Sequence, residues 1–218
     1  MNVRILYEDR FLFICEKPVG VSSESPGLPD LVAEQAGCRV WPVHRLDRGT
    51  GGAVVLARSA AACAAMQQVF QQELVTKEYV AVVSGRPEED SGRFEDMLFH
   101  DSRSNKTFIV KGTRRSAKKA SCEWTLLRSV PLNDQTLSMV RVRLHTGRTH
   151  QIRVQFASRG FPLAGDRKYG SRVRADVPAL WACGISFPHP LMENSVVSAV
   201  SLPPASSFPW DLFPAGGL

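Results

Sequence analysis

Residues 44 to 52, His-Arg-Leu-Asp-Arg-Gly-Thr-Gly-Gly, set one carboxylate, Asp47, between Arg45 and Arg48 and directly before a glycine-rich turn. An acid so placed reads two ways. It can be a solvated surface ion pair, which contributes little, or a reacting group displayed by a tight loop. The neighbourhood favours the second. Gly49, Gly51 and Gly52 allow positive φ and close backbone approach, and the apolar run Ala53-Val54-Val55-Leu56-Ala57 follows at once. Such a run reads as a buried strand, so Asp47 is expected on a loop that a rigid core presents to a cleft. No other segment offers an obvious nucleophile.

The elements that must hold this loop follow from the patterning. Residues 3–7 and 11–15 form a hairpin turning at Glu8-Asp9-Arg10, and residues 22–30, rich in Ser, Pro and Gly, form a loop. A short helix is expected from Leu31 to Gly37. Ser59 is a suitable N-cap for a helix over 60–73 with Met66, Val69 and Phe70 at helical spacing. Residues 77–84 return to β. From 94 to 130 short β-like runs alternate with polar turns. Over 137–144, Val140, Val142 and Leu144 alternate with Arg141 and Arg143, a half-buried strand with a basic outer face. Thr149 is placed to cap a helix over 150–159 that ends at Gly160, residues 180–187 form a last core strand, and Phe208, Trp210 and Phe213 can pin the tail. These elements predict an α+β fold: a single catalytic domain over 1–218 around a large, mainly antiparallel mixed sheet with flanking helices.

At 218 residues and 44% hydrophobic, the chain can bury a proper core. It has no apolar run long enough to span a bilayer and no apolar core of a secretion signal at its start, so a soluble cytoplasmic protein without membrane attachment is expected. Five scattered cysteines without a Cys-x-x-Cys pair predict free thiols. The histidines lack metal-ligand spacing, so no metal is expected. The net charge of +6 is unevenly spread: residues 101–175 hold 17 Lys and Arg against 4 acids. Such a field suits a polyanion, above all nucleic acid. With no exposed apolar stripe evident, a monomer is expected.

Further segments stand beside the Asp47 loop. They are Ile5-Leu6-Tyr7-Glu8-Asp9, Glu16-Lys17-Pro18-Val19-Gly20, Lys77-Glu78-Tyr79, Thr146-Gly147-Arg148-Thr149-His150-Gln151-Ile152-Arg153, and Leu163-Ala164-Gly165-Asp166-Arg167-Lys168-Tyr169-Gly170. In this order and spacing the chain resembles the RluA-type pseudouridine synthases, from about Ile5 to His189. The resemblance implies isomerisation of selected uridines in ribosomal or transfer RNA to pseudouridine, in a central RNA-binding cleft and without a cofactor, since nothing is oxidised and no group is imported. It makes Asp47 the nucleophile, on the sugar C1′ or the base C6, with covalent catalysis dividing one hard step into easier ones. It makes Tyr79 the residue that stacks on the base and assists removal of the C5 proton. Arg153 becomes the partner of the catalytic carboxylate; its position beside Ile152 taken alone reads as a surface arginine. Arg45 matches an arginine that fills the place of the flipped base. Arg148, His150 and the basic loop at 114–119 are expected to touch phosphate.

The chain departs from the pattern in three places: Gly49-Thr50-Gly51-Gly52 where many relatives have Asp-Thr-Ser-Gly, Gln155 in place of a His, and Glu16 in place of an Asn. No catalytic atom is lost. Many relatives also carry an N-terminal S4 RNA-binding domain; the pattern here starts at residue 5, so no separate S4 domain is expected. Two rivals remain. An inactive RNA-binding or assembly protein on the same scaffold should have lost Asp47, Tyr79 or Arg153, and a glycosidic hydrolase needs a second carboxylate, for which Asp166 is the candidate by chemistry.

Overall fold

The computed structural model describes residues 1–112 and 116–213. Of the basic loop, Arg114 and Arg115 lie outside the described residues. The described chain is α+β, with eleven strands, mainly antiparallel in pairing, and three α-helices. None of the described helices is long and apolar enough to cross a membrane. The chain groups into two compact units, one of Met1–Glu78 with Trp181–Pro203, the other of Tyr79–Leu180 with the described residues from Pro204 on.

In the first unit, β1 (Ile5–Glu8) and β2 (Leu12–Lys17) form the expected hairpin. Its turn is shaped by Asp9, whose carboxylate accepts the N–H groups of Phe11 and Leu12, each at 2.7 Å. A short β3 (Trp41–Pro42) and β2 both pair antiparallel with β4 (Gly51–Ala57), which is buried along its whole length. β10 (Leu180–Pro188) runs parallel to β4 at Trp181–Gly51 and Ala182–Gly52, and β11 (Val196–Val200) pairs antiparallel with β10. Helix α1 (Leu28–Ala36) starts three residues earlier than the sequence suggests, with Pro29 in its first turn, where a missing N–H costs nothing. Gly37 ends it in the left-handed region, as expected. Helix α2 (Ala60–Gln71) is capped by Ser59, whose hydroxyl oxygen accepts from the Ala62 N–H. Its Met66 and Val69 join Leu12, Ile14, Val55 and Phe187 in one core. β11 was not legible because two of its three valines, Val196 and Val200, face solvent.

In the second unit, the part of β5 (Thr76–Ser84) from Tyr79 on, β9 (Gln135–Leu144), β8 (Lys118–Leu132), β6 (Ser91–Asp101) and β7 (Lys106–Ile109) follow one another. The short runs read between 94 and 130 belong to two long strands, β6 and β8, with the short β7 between them. β9 behaves as expected: Val140, Val142 and Leu144 are buried and Arg143 is exposed. Helix α3 (Gln151–Ala157) is shorter than expected, and Thr149 does not cap it. His150 takes the N-cap position with φ 54°, and the Gln151 side-chain oxygen reaches back to accept from the Arg148 N–H at 3.0 Å. Ile152 and Phe156 enter a core with Val83, Trp124, Val142 and Leu163. In the tail Trp210 and Phe213 are buried, whereas Phe208 is partly exposed.

Candidate active site

The Asp47 loop is held by its neighbours on both sides, and Asp47 is half-buried. Upstream, the Ser23 hydroxyl donates to the Leu46 carbonyl and accepts from the Leu46 N–H, both at 3.0 Å. Downstream, the Arg48 carbonyl accepts from the Gly20 N–H at 2.8 Å and from the Lys17 ammonium at 3.3 Å. The Thr50 N–H closes the turn onto the Asp47 carbonyl at 2.9 Å. The chain then enters β4 through two glycines that leave no room for a side chain. A Cβ on Gly51 would overlap the Trp181 ring, and Gly52, at φ 110°, would drive one into the Ala182 backbone.

Lys17 is fully buried and donates to three carbonyls, those of Pro18 (3.0 Å), Val21 (2.8 Å) and Arg48. Burial pushes its pKa down to about 8, with the Asp47 carboxylate drawing it up and Arg48 pushing it down. A cation therefore lies within electrostatic reach of Asp47 from beneath the loop. His44 accepts the Val55 N–H on Nε2 at 3.1 Å and packs against Phe70, ring centroids 4.9 Å apart. Burial first, and Lys77 second, hold the imidazole neutral, with a pKa lowered to about 3. Arg45 is exposed and pairs with Glu24 at 2.8 Å, both side chains in water.

The second unit builds a cation site. Arg153, on α3, is only 8% exposed and the Asp166 side chain 1%. The guanidinium is bound at two points: Nε donates to one Asp166 carboxylate oxygen at 2.6 Å and a terminal nitrogen to the other at 2.9 Å. Paired, charge-assisted bonds of this kind fix direction as well as energy. The guanidinium carbon lies 5.2 Å over the Tyr169 ring. The Tyr169 hydroxyl in turn accepts from the Thr107 N–H at 2.8 Å and bonds His150 Nδ1 at 3.0 Å. Tyr79 is half-buried on β5 against the core of this unit.

Residues 11–158 match the family description "RNA pseudouridylate synthase". The chain belongs to the RNA pseudouridine synthases. The chain is 35% identical over 182 residues to an uncharacterized RNA pseudouridine synthase of Aquifex aeolicus, covering 77% of this chain and 56% of that protein. It is 31% identical over 185 residues to the ribosomal large subunit pseudouridine synthase D of Borreliella burgdorferi, covering 77% and 55%. The chain thus spans little more than half the length of these two relatives. In fold it superposes on human RNA pseudouridylate synthase domain containing 1 with a TM-score of 0.82 at 24% identity, over 93% of this chain and 84% of that one.

Of the residues singled out from the sequence, Arg45 and Arg148 are exposed, Asp47 and Tyr79 half-buried, and Arg153 and His150 buried. Arg153 is therefore no surface arginine. Arg148 donates from Nε to the Lys119 carbonyl at 3.0 Å. Two residues take parts the sequence did not assign them: Lys17, quoted only within the Lys-Pro segment before a glycine turn, supports the Asp47 loop, and Asp166, weighed only as the second carboxylate of a hydrolase, is the ion-pair partner of Arg153.

Proposed function

We propose that the protein converts uridines of ribosomal or transfer RNA to pseudouridine, with Asp47 as the nucleophile acting on an extruded uridine and with Tyr79 and Arg153 as its partners in the reaction. The N1–C1′ bond breaks, the base turns, and a C5–C1′ bond forms as C5 gives up its proton. The observation that carries the reading is the Asp47 loop. Its backbone is tied down on both sides and Asp47 itself is half-buried, an arrangement that suits a positioned nucleophile. Arg45 and Arg148 offer guanidinium groups to the RNA, and His150, buried against Tyr169, would act through the turn it shapes. Likeness to a large-subunit ribosomal synthase favours ribosomal RNA as the first substrate to try. A cytoplasmic monomer completes the proposal and is checked by sedimentation.

The test is pseudouridine mapping across cellular RNA with the protein present, absent, or replaced by Asp47→Asn. Sites that vanish on deletion, return with the wild type and stay absent with Asp47→Asn support the reading. Unchanged maps, release of free uracil, or full restoration by Asp47→Asn would end it.

A further inference from the structure

The second unit carries a groove of about 370 Å³, lined by Leu98, His100, Thr107, Lys118, Arg148 and Thr149 among others, with no carboxylate in its described lining. β6 and β8 build one wall: Leu98 is paired directly with Lys118 and is 3% exposed, so an apolar floor lies beside a cation. Among the described residues the Lys118 ammonium has no hydrogen-bond or ion-pair partner, and Arg148 engages only its Nε, leaving the terminal nitrogens. Two cations in a pocket whose described lining holds no acid favour an anion.

The tautomer of His100 adds a second preference. Thr107 has a single hydroxyl proton, and it goes to the Thr149 carbonyl at 2.8 Å. The same oxygen lies 3.1 Å from His100 Nδ1 and must therefore accept there, so Nδ1 carries the hydrogen. In the neutral ring Nε2 is then a bare acceptor on an exposed side chain. An acceptor beside two cations suits a ligand that presents a hydroxyl next to a phosphate.

We propose that this groove is a ribose–phosphate subsite for the RNA outside the uridine being modified, with Lys118 and Arg148 on one phosphate, His100 Nε2 accepting from a 2′-hydroxyl, and Leu98 under the sugar. The inference rests on the synthase reading in that it takes RNA as the ligand. The 2′-hydroxyl is the group by which a protein tells RNA from DNA.

The experiment titrates poly(U) and poly(dU) against the full chain over a range of salt, by fluorescence anisotropy, with circular dichroism as the folding check. Lys118→Gln combined with Arg148→Gln should weaken both polymers on the order of tenfold and shrink the salt slope by about one. Lys118→Arg should bind as wild type. His100→Phe should lower the preference for poly(U) over poly(dU) by about fivefold, and His100→Gln, whose amide oxygen reaches the place of Nε2, should restore most of it. Wild-type affinity and slope in the double variant, or a His100→Phe loss equal for both polymers, would overturn the subsite. Pseudouridine mapping is read separately: a wild type that discriminates the polymers through these residues but modifies no uridine fails the synthase reading alone.

Discussion

Arg153 and Asp166, thirteen residues apart in the chain, meet in a buried two-point ion pair, with each carboxylate oxygen taking one guanidinium nitrogen. A loop acid thereby helps to fix the direction of the Arg153 side chain. Removing one member of a buried pair costs about 3 kcal/mol. Asp166→Ala should show that loss in urea unfolding and lower pseudouridine formation on the order of 100-fold through misplacement of Arg153, whereas Asp166→Asn, which keeps one acceptor, should fall between. Unaltered stability and rate in Asp166→Ala would detach this pair from the site.

His44 gives the protein an acid limit. The folded imidazole takes up its proton only near pH 3, while in the unfolded chain it does so near 6.5. Between these values the unfolded state binds more protons, so stability is complete above 6.5 and declines as pH falls through the window, at most about 1.4 kcal/mol per pH unit. His44→Gln, which can still accept from the Val55 N–H, should flatten this part of the curve in denaturation series from pH 7 to 4.

Asp9 acts at lower pH. Burial raises its pKa, but the Tyr7 hydroxyl, the Phe11 and Leu12 N–H groups and His189 together outweigh it, so the net shift is downward. Its stabilising effect is present above about pH 4 and is lost as the carboxyl protonates below that. Asp9→Asn should remove the acid-side loss while lowering stability at pH 7 by about 1 kcal/mol, measured in the same series.

Gly52→Ala is expected to be severe, because the added methyl meets Ala182 backbone and the residue sits at φ 110°. A loss of several kcal/mol, seen as insoluble expression or a Tm lowered by more than about 10 °C, is anticipated. An Ala variant that melts like the wild type would show that β10 can give way.

Tyr79→Phe keeps the ring against its core and removes only the hydroxyl. RNA affinity should persist within about twofold while single-turnover pseudouridine formation falls on the order of 100-fold. Undiminished turnover would withdraw the acid–base assignment for Tyr79.

Much of this was legible in the sequence for identifiable reasons. Ser59 before an alanine-rich segment announced α2, the alternation of Val140, Arg141, Val142 and Arg143 announced β9, and the apolar run after Gly52 announced the buried β4. Other features left weaker traces. β6 and β8 look broken in sequence because charged residues such as Glu95 and Lys119 alternate along their wetted faces. Helix α3 begins with His150 in a left-handed conformation, which residue type alone does not suggest. Asp166 looks like any loop acid until its partner, thirteen positions away, is seen to be buried with it.

The glycine pair at the root of β4 has a further meaning for change over time. With neighbouring chain pressed against Gly51 and Gly52, natural drift or directed evolution toward a new target is closed off on that side. The upstream arm, where Arg45 stands in water beside Glu24, is where a lineage or a designer has room to experiment.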